Sequence, residues 1–251
     1  MKIFSAGVLS TPKLRSIRNS KDSDNQFWEG TLNATIAYMF VERLLPQGVE
    51  SHIKVSEFPA LKEHWHDQHL GRHFLSVESL TVDGCASFTK ALSANLLHSL
   101  NMLTTLEVRD CGSMEEVFDL EEMATDEGRV RLLPRLSKLH LIDLPMLRAN
   151  LWNKDPTKNL DFRNFTVLKV ENCNRLNYAF TQSVSLCFVL LQEIHLKKCA
   201  MMEGIIKKGE SDEEVVPEII CPSLKKISIQ KTETGNRHDT KRTREKGIIK
   251  K

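Results

Sequence analysis

No apolar run in this 251-residue sequence approaches the roughly 18 to 20 residues that a helix needs to cross a bilayer. The opening "MKIFSAGVLSTPKLR" has too short an apolar stretch for a secretory signal, and no convincing cleavage site follows it. Six cysteines occur without one CxxC pair. Without a secretion signal, they read as reduced thiols rather than a disulfide framework. The sequence also lacks a GxxxxGK[ST] phosphate loop, an HExxH frame, a nucleophile elbow, a paired-carboxylate catalytic frame and a dinucleotide loop. The expectation is an intracellular protein that is not an enzyme, holds no cofactor or metal and has no membrane partner.

What is present is ordinary globular composition, with 41% hydrophobic and 27% charged residues. The net charge of +2 is unevenly spread. Residues 231–251 carry eight Lys or Arg against three Asp or Glu, leaving 27 basic and 30 acidic residues before them. The body is close to neutral and the tail is basic.

The body repeats itself. "LTTLEVRDCGSM" from Leu103 and "LQEIHLKKCAMM" from Leu191 share the frame Leu-x-x-Leu/Ile-x-Val/Leu-x-x-Cys-x-x-Met. The frame recurs as "VESLTVDGCASF" from Val77 and "FTVLKVENCNRL" from Phe165. Weaker copies start at Leu136, with Leu144 in place of the cysteine, and at Leu224, with Thr232 there; an earlier copy, "HIKVSEFPAL" from His52, places Phe58 there. The fourth-position residues are Ile53, Leu80, Leu106, Leu139, Leu168, Ile194 and Ile227, spaced by 27, 26, 33, 29, 26 and 33 residues. Most spacings fall in the range of about 20 to 29 residues typical of leucine-rich repeats, and the two long ones coincide with the charged inserts "DLEEMATDEGRV" and "KKGESDEEVV".

Residues four and six alternate with polar neighbours, as in a short strand with one buried face, while residues one, nine and twelve turn the chain back into the core. One coil cannot bury its apolar side alone. Copies therefore stack, and their strands pair into a parallel sheet. The expected fold is an α/β leucine-rich repeat solenoid, an irregular horseshoe of about seven to eight coils. A short parallel sheet lies on its concave side, with helices, 3₁₀ turns or loops on the convex side. Residues 1–230 form the repeat domain and 231–251 a basic, disordered tail. Cys85, Cys111, Cys173 and Cys199 all hold the ninth position, where a small thiol packs beside backbone groups, so they form a structural ladder. Cys187 and Cys221 lie outside it and are expected as buried apolar fillers.

This pattern, followed by Glu-Glu-Val-Phe or Glu-Gly-Ile-Ile, an acidic insert and a restart such as "LPRLSKLHL" or "CPSLKKISI", resembles the C-terminal leucine-rich repeat region of plant coiled-coil nucleotide-binding (NB-ARC) disease-resistance proteins. "WEGTLNATIAYMF" and "FPALKEHWH" look like connecting segments of the same family. The resemblance implies the protein-recognition module of an intracellular immune receptor. Its partners would be a pathogen effector or a guarded host protein, and within a receptor the nucleotide-binding domain. "MKIF" at Met1 is similar to the "MEEVF" and "MEGII" that follow the ninth-position cysteines, which implies a start in mid-repeat and a fragment without the nucleotide-binding domain. The expected location is cytoplasmic, with the nucleus as the alternative.

The candidate protein-binding residues are the outward ones flanking positions four and six: Lys54, Thr81, Asp83, Glu107, Arg109, His140, Lys169, Glu171, His195 and Lys197, with Ser56, Ile142, Ser228 and Gln230 in the same rows. His64, His66, His69 and His73 are the densest histidine group, read as a loop around Trp65 rather than a zinc site. "NATIAYMFVERLL" from Asn33 has the apolar stripe of a packed helix. Two other readings remain open. An adaptor that selects targets for a ubiquitin ligase needs a ligase-binding module, for which residues 1–50 show no clear room. Nucleic-acid binding through the tail is not the expected activity, because the tail lacks the aromatic interleaving of a stacking platform.

Overall fold

The computed structural model describes residues 17–19, 22–27, 51–56, 74–120, 131–149, 151, 157, 160–207 and 221–230. The elements begin with β1 (Ile17–Asn19) and β2 (Asp22–Phe27), which pair antiparallel with each other. Then come β3 (His52–Ser56), β4 (Ser79–Asp83), β5 (Lys90–Leu92), α1 (Ala94–Ser99), β6 (Thr105–Arg109) and β7 (Glu116–Phe118). The chain continues through β8 (Lys138–Ile142), β9 (Val167–Glu171), β10 (Tyr178–Thr181), α2 (Gln182–Ser185), β11 (Glu193–Lys197), β12 (Gly204–Lys207) and β13 (Lys226–Gln230). Among the described residues no helix is long and apolar enough to cross a membrane.

Seven five-residue strands make one parallel sheet in the order β3-β4-β6-β8-β9-β11-β13, each step adding the next copy of the frame. The fourth-position residues face one another in register from Ile53 through Leu80, Leu106, Leu139, Leu168 and Ile194 to Ile227. The fold is therefore a leucine-rich repeat solenoid, and the sequence frame is its pairing register. Spacings of 26 and of 33 residues give the same register, so the extra residues of a long coil leave the sheet undisturbed.

The alternation of apolar and polar residues produces this sheet because side chains of a strand point to opposite faces in turn. In β4, β6, β8 and β9 the residues at positions four and six are fully buried, and position one is buried in each of their coils, as at Leu103 and Phe165. Each fully buried Leu or Val contributes about 1.5 to 3 kcal/mol of transfer free energy. Turns at both ends of the strand close the coil: Leu103 N–H donates to Leu100 O at 3.2 Å, and Met114 N–H to Cys111 O at 3.1 Å. Phe162, Phe165, Phe180 and Phe188 fill the later coils, with Phe180 edge-on to Phe188 at 4.6 Å between ring centroids.

On the side away from the main sheet the chain forms more strand than periodicity predicts. The short helices α1 and α2 are there, capped by Ser93 and Thr181 side chains. Beside these helices in the sequence are two parallel pairs, β5 with β7 and β10 with β12, and a single bridge joins Leu132 to Leu160. The last strand departs from the others in burial. Ile227 and Ile229 of β13 are 49% and 60% exposed, whereas the inward residues of the other six strands are at most 8% exposed. Cys187 and Cys221 are half-buried, not buried as expected, and pack against the core from its margin.

Candidate protein-binding face

The outward rows of the main sheet carry the candidate residues. Position five runs Lys54, Thr81, Glu107, His140, Lys169, His195 and Ser228, neighbour facing neighbour across the strands. Position seven runs Ser56, Asp83, Arg109, Ile142, Glu171, Lys197 and Gln230 in the same way. Strand spacing of about 4.8 Å puts adjacent members within reach of each other, so opposite charges in one row pair across strands.

Two clusters result. In the first, Asp83 accepts from Lys54 at 2.5 Å and from Arg109 at 3.0 Å. Arg109 also reaches Glu107 at 3.4 Å, and Glu107 meets His140 Nδ1 at 3.4 Å. The Arg109 guanidinium, seconded by the Lys54 ammonium, holds the Asp83 carboxyl below its usual range. In the second cluster Lys197 binds Glu171, with Lys169 farther off at 3.9 Å. His195 Nε2 contacts Glu193 at 2.7 Å, and that contact lowers the Glu193 carboxyl. Pairs this open to water contribute little to stability, so their effect is to order the face rather than to hold the fold. Thr81 stands between the charges of the first cluster without joining them.

Over β8 to β13 the face sinks into a depression of about 450 Å³ lined by His140, Lys169, Glu171, His195, Lys197 and Gln230 among others. It contains mixed polar groups and an apolar floor rather than a catalytic constellation. Among the described residues no group of three or more His, Cys, Asp or Glu is placed to hold a metal ion. The histidines from His64 to His73, Phe58, the helix expected from Asn33, the inserts at 121–130 and 208–220 and the tail all lie outside the described residues.

The ninth-position cysteines follow the C-terminal ends of β4, β6, β9 and β11. Cys111 Sγ donates to Arg109 O at 3.1 Å and lies 3.9 Å from Val82 O of the preceding coil. Cys85, Cys173 and Cys199 repeat both contacts, each to the carbonyl two residues back and to the sixth-position carbonyl one coil earlier. Burial pushes the Cys173 thiol up to about 12, which keeps it protonated and able to donate.

Two features of the frame went unread in the sequence. Position eight adopts a left-handed backbone at Gly84, Asp110, Asp143, Asn172 and Lys198, with φ between 52° and 66°. Glycine, asparagine and aspartate tolerate that region best, so the residue types at four of the five positions carried the signal. The turn also aims the position-eight amide at the seventh-position carbonyl of the next coil, as from Asn172 N–H to Lys197 O at 2.8 Å. A further inward residue precedes position one by three: Phe74, Leu100, Leu133, Phe162 and Phe188 are all buried. Its recurrence at a fixed offset was visible in the sequence.

Stacked coils that share one parallel sheet and present a mixed polar outer row define a leucine-rich repeat module. Residues 49–200 match the family model "Plant disease resistance protein RPS2-like, leucine-rich repeats", and the chain belongs to that family. Among solved structures, the leucine-rich repeat domain of the type III effector XopL is similar at 19% identity with a TM-score of 0.39. That likeness covers 72% of this chain and 63% of that domain. No curated protein matches the chain.

Proposed function

We propose that this chain is the partner-recognition module of a plant intracellular immune receptor, with the outward rows of β3 to β13 as its binding face. Membership of the disease-resistance repeat family is the observation that carries this reading. The ordered clusters around Asp83 and Glu171 support it, because a rigid polar surface loses little side-chain freedom when a protein docks. The ligand is a protein, either a pathogen effector or a guarded host protein, and the site of action is the cytoplasm. The module acts by differential binding and performs no chemistry. A ligand shifts a receptor between states only to the extent that the face binds one state better.

Site-directed photocrosslinking in plant cells tests this. A photoreactive residue at Thr81 or Ser228 on the face is expected to trap a discrete protein adduct during pathogen challenge. One at His98, exposed on α1 at the back, is expected to trap none. Adducts from His98 with none from the face would overturn the assignment.

A further inference from the structure

Charge on the outward side of the sheet is sorted by coil. Among the described residues from position two to position seven or eight, the β3, β4 and β6 coils carry Lys54 and Arg109 against Glu78, Asp83, Glu107 and Asp110 within residues 51–56, 78–84 and 104–110. The same stretch of the β8, β9, β11 and β13 coils carries six lysines against Asp143, Glu171 and Glu193 within residues 137–143, 166–172, 192–198 and 225–230. One half of the face is therefore net −2 and the other net +3, with His52, His140 and His195 counted as neutral, although the whole chain is almost neutral. The depression lies in the positive half.

We infer that the β8 to β13 half of the face binds an acidic peptide segment of a partner protein, its carboxylates directed into the depression toward Lys169 and along β13 toward the exposed Lys226, which faces Glu193 in register. This deepens the proposed function and rests on it. Three observations select a peptide over a nucleic acid. The outward rows hold no aromatic side chain on which bases stack. Glu171 and Glu193 stand among the lysines, where an evenly charged phosphate backbone meets repulsion at every step but spaced carboxylates need not. At the depression's edge Ser228 and Gln230 offer neutral hydrogen-bonding groups suited to peptide amides.

The test uses the full chain and a fluorescein-labelled hexaglutamate peptide, read by anisotropy at low and physiological salt, with a labelled single-stranded RNA 12-mer in parallel. Hexaglutamate is expected to bind, and the double variant Lys169→Glu with Lys226→Glu to weaken it by about tenfold, since like charge replaces opposite charge at the contact. Lys207→Glu, on β12 in a separate two-stranded sheet and outside the binding face, is expected to change it less than about twofold. Circular dichroism melts confirm that each variant keeps its sheet. No binding, or binding that the double variant leaves unchanged, overturns the inference and in the latter case moves the contact to another basic segment. RNA binding that alone is lost in the double variant also overturns it, in favour of a nucleic acid. A face that traps protein adducts at Thr81 yet ignores hexaglutamate would refute the acidic class while leaving the recognition module standing.

Discussion

The left-handed turn at position eight sets a local cost that residue type decides. Gly84, Asp110, Asp143 and Asn172 meet it with side chains suited to positive φ, whereas Lys198, exposed at φ 52°, does not. An L-residue with a full Cβ substituent loses about 1 kcal/mol in that region relative to one adapted to it. Lys198→Asn is therefore expected to raise the stability by roughly 0.5 to 1 kcal/mol, measured by chemical denaturation, and a lower midpoint would refute the account. At this scale the sequence was half legible. Apolar residues at positions one, four, six and twelve stand out because burial restricts them to a few types. The turn residue was missed because asparagine, aspartate and glycine also crowd ordinary loops, and only the register shows that these five share one conformation. The ion pairs were illegible for the same reason: Asp83 and Arg109 are 26 residues apart and meet only once coils are stacked.

Among elements, β9 and β13 have the same apolar pattern and opposite surroundings. Leu168 is fully buried between β8 and β11, while Ile227 forms the edge strand and is 49% exposed. Removing buried methylenes leaves a cavity as well as losing transfer energy. Leu168→Ala is expected to cost about 2 to 5 kcal/mol and Ile227→Ala less than about 1 kcal/mol, read from urea unfolding midpoints. Equal losses would mean that β13 is covered to the same degree as β9. All seven strands of the sheet could be found from the frame, each being a five-residue alternation with a fixed partner register. The pairs β5 with β7 and β10 with β12 could not. Runs of three or four residues such as "KAL" and "EVF" have no period to detect, and their pairing follows from the stacking of the coils rather than from their own composition.

For the whole molecule, acid is the revealing condition. Asp83, Glu193 and the buried Asp161 all have carboxyls held below their usual range. For Asp161 the main cause is Arg163, whose Nε and Nη2 reach its two oxygens at 3.0 and 2.6 Å. A folded-state pKa below the unfolded value contributes stability that is present above the unfolded value, near 4, and is lost as pH falls through the folded one. The thermal midpoint is thus expected to fall as the pH drops below about 4. Asp161→Asn should lower the midpoint at pH 7 and flatten that fall, and a midpoint unchanged between pH 7 and pH 3 would show that these pairs do not contribute. The sorting of charge between the two halves of the face belongs to this scale too. The residues that create it are scattered over residues 54–226, and net charge alone, at +2, conceals it.

One backbone contact recurs with little regard to side chain: the position-eight amide of one coil donates to the seventh-position carbonyl of the next, from Gly84 to Arg109, Asp110 to Ile142, Asp143 to Glu171, Asn172 to Lys197 and Lys198 to Gln230. Coils are thus joined by groups that every non-proline residue supplies. Duplicating a coil lengthens the face by about 4.8 Å, and exchanging one replaces a single strand's outward residues together, with the seam between neighbours unchanged. In such a molecule the coil is the interchangeable part, since the seam that joins it to its neighbours is the same whichever side chains it carries.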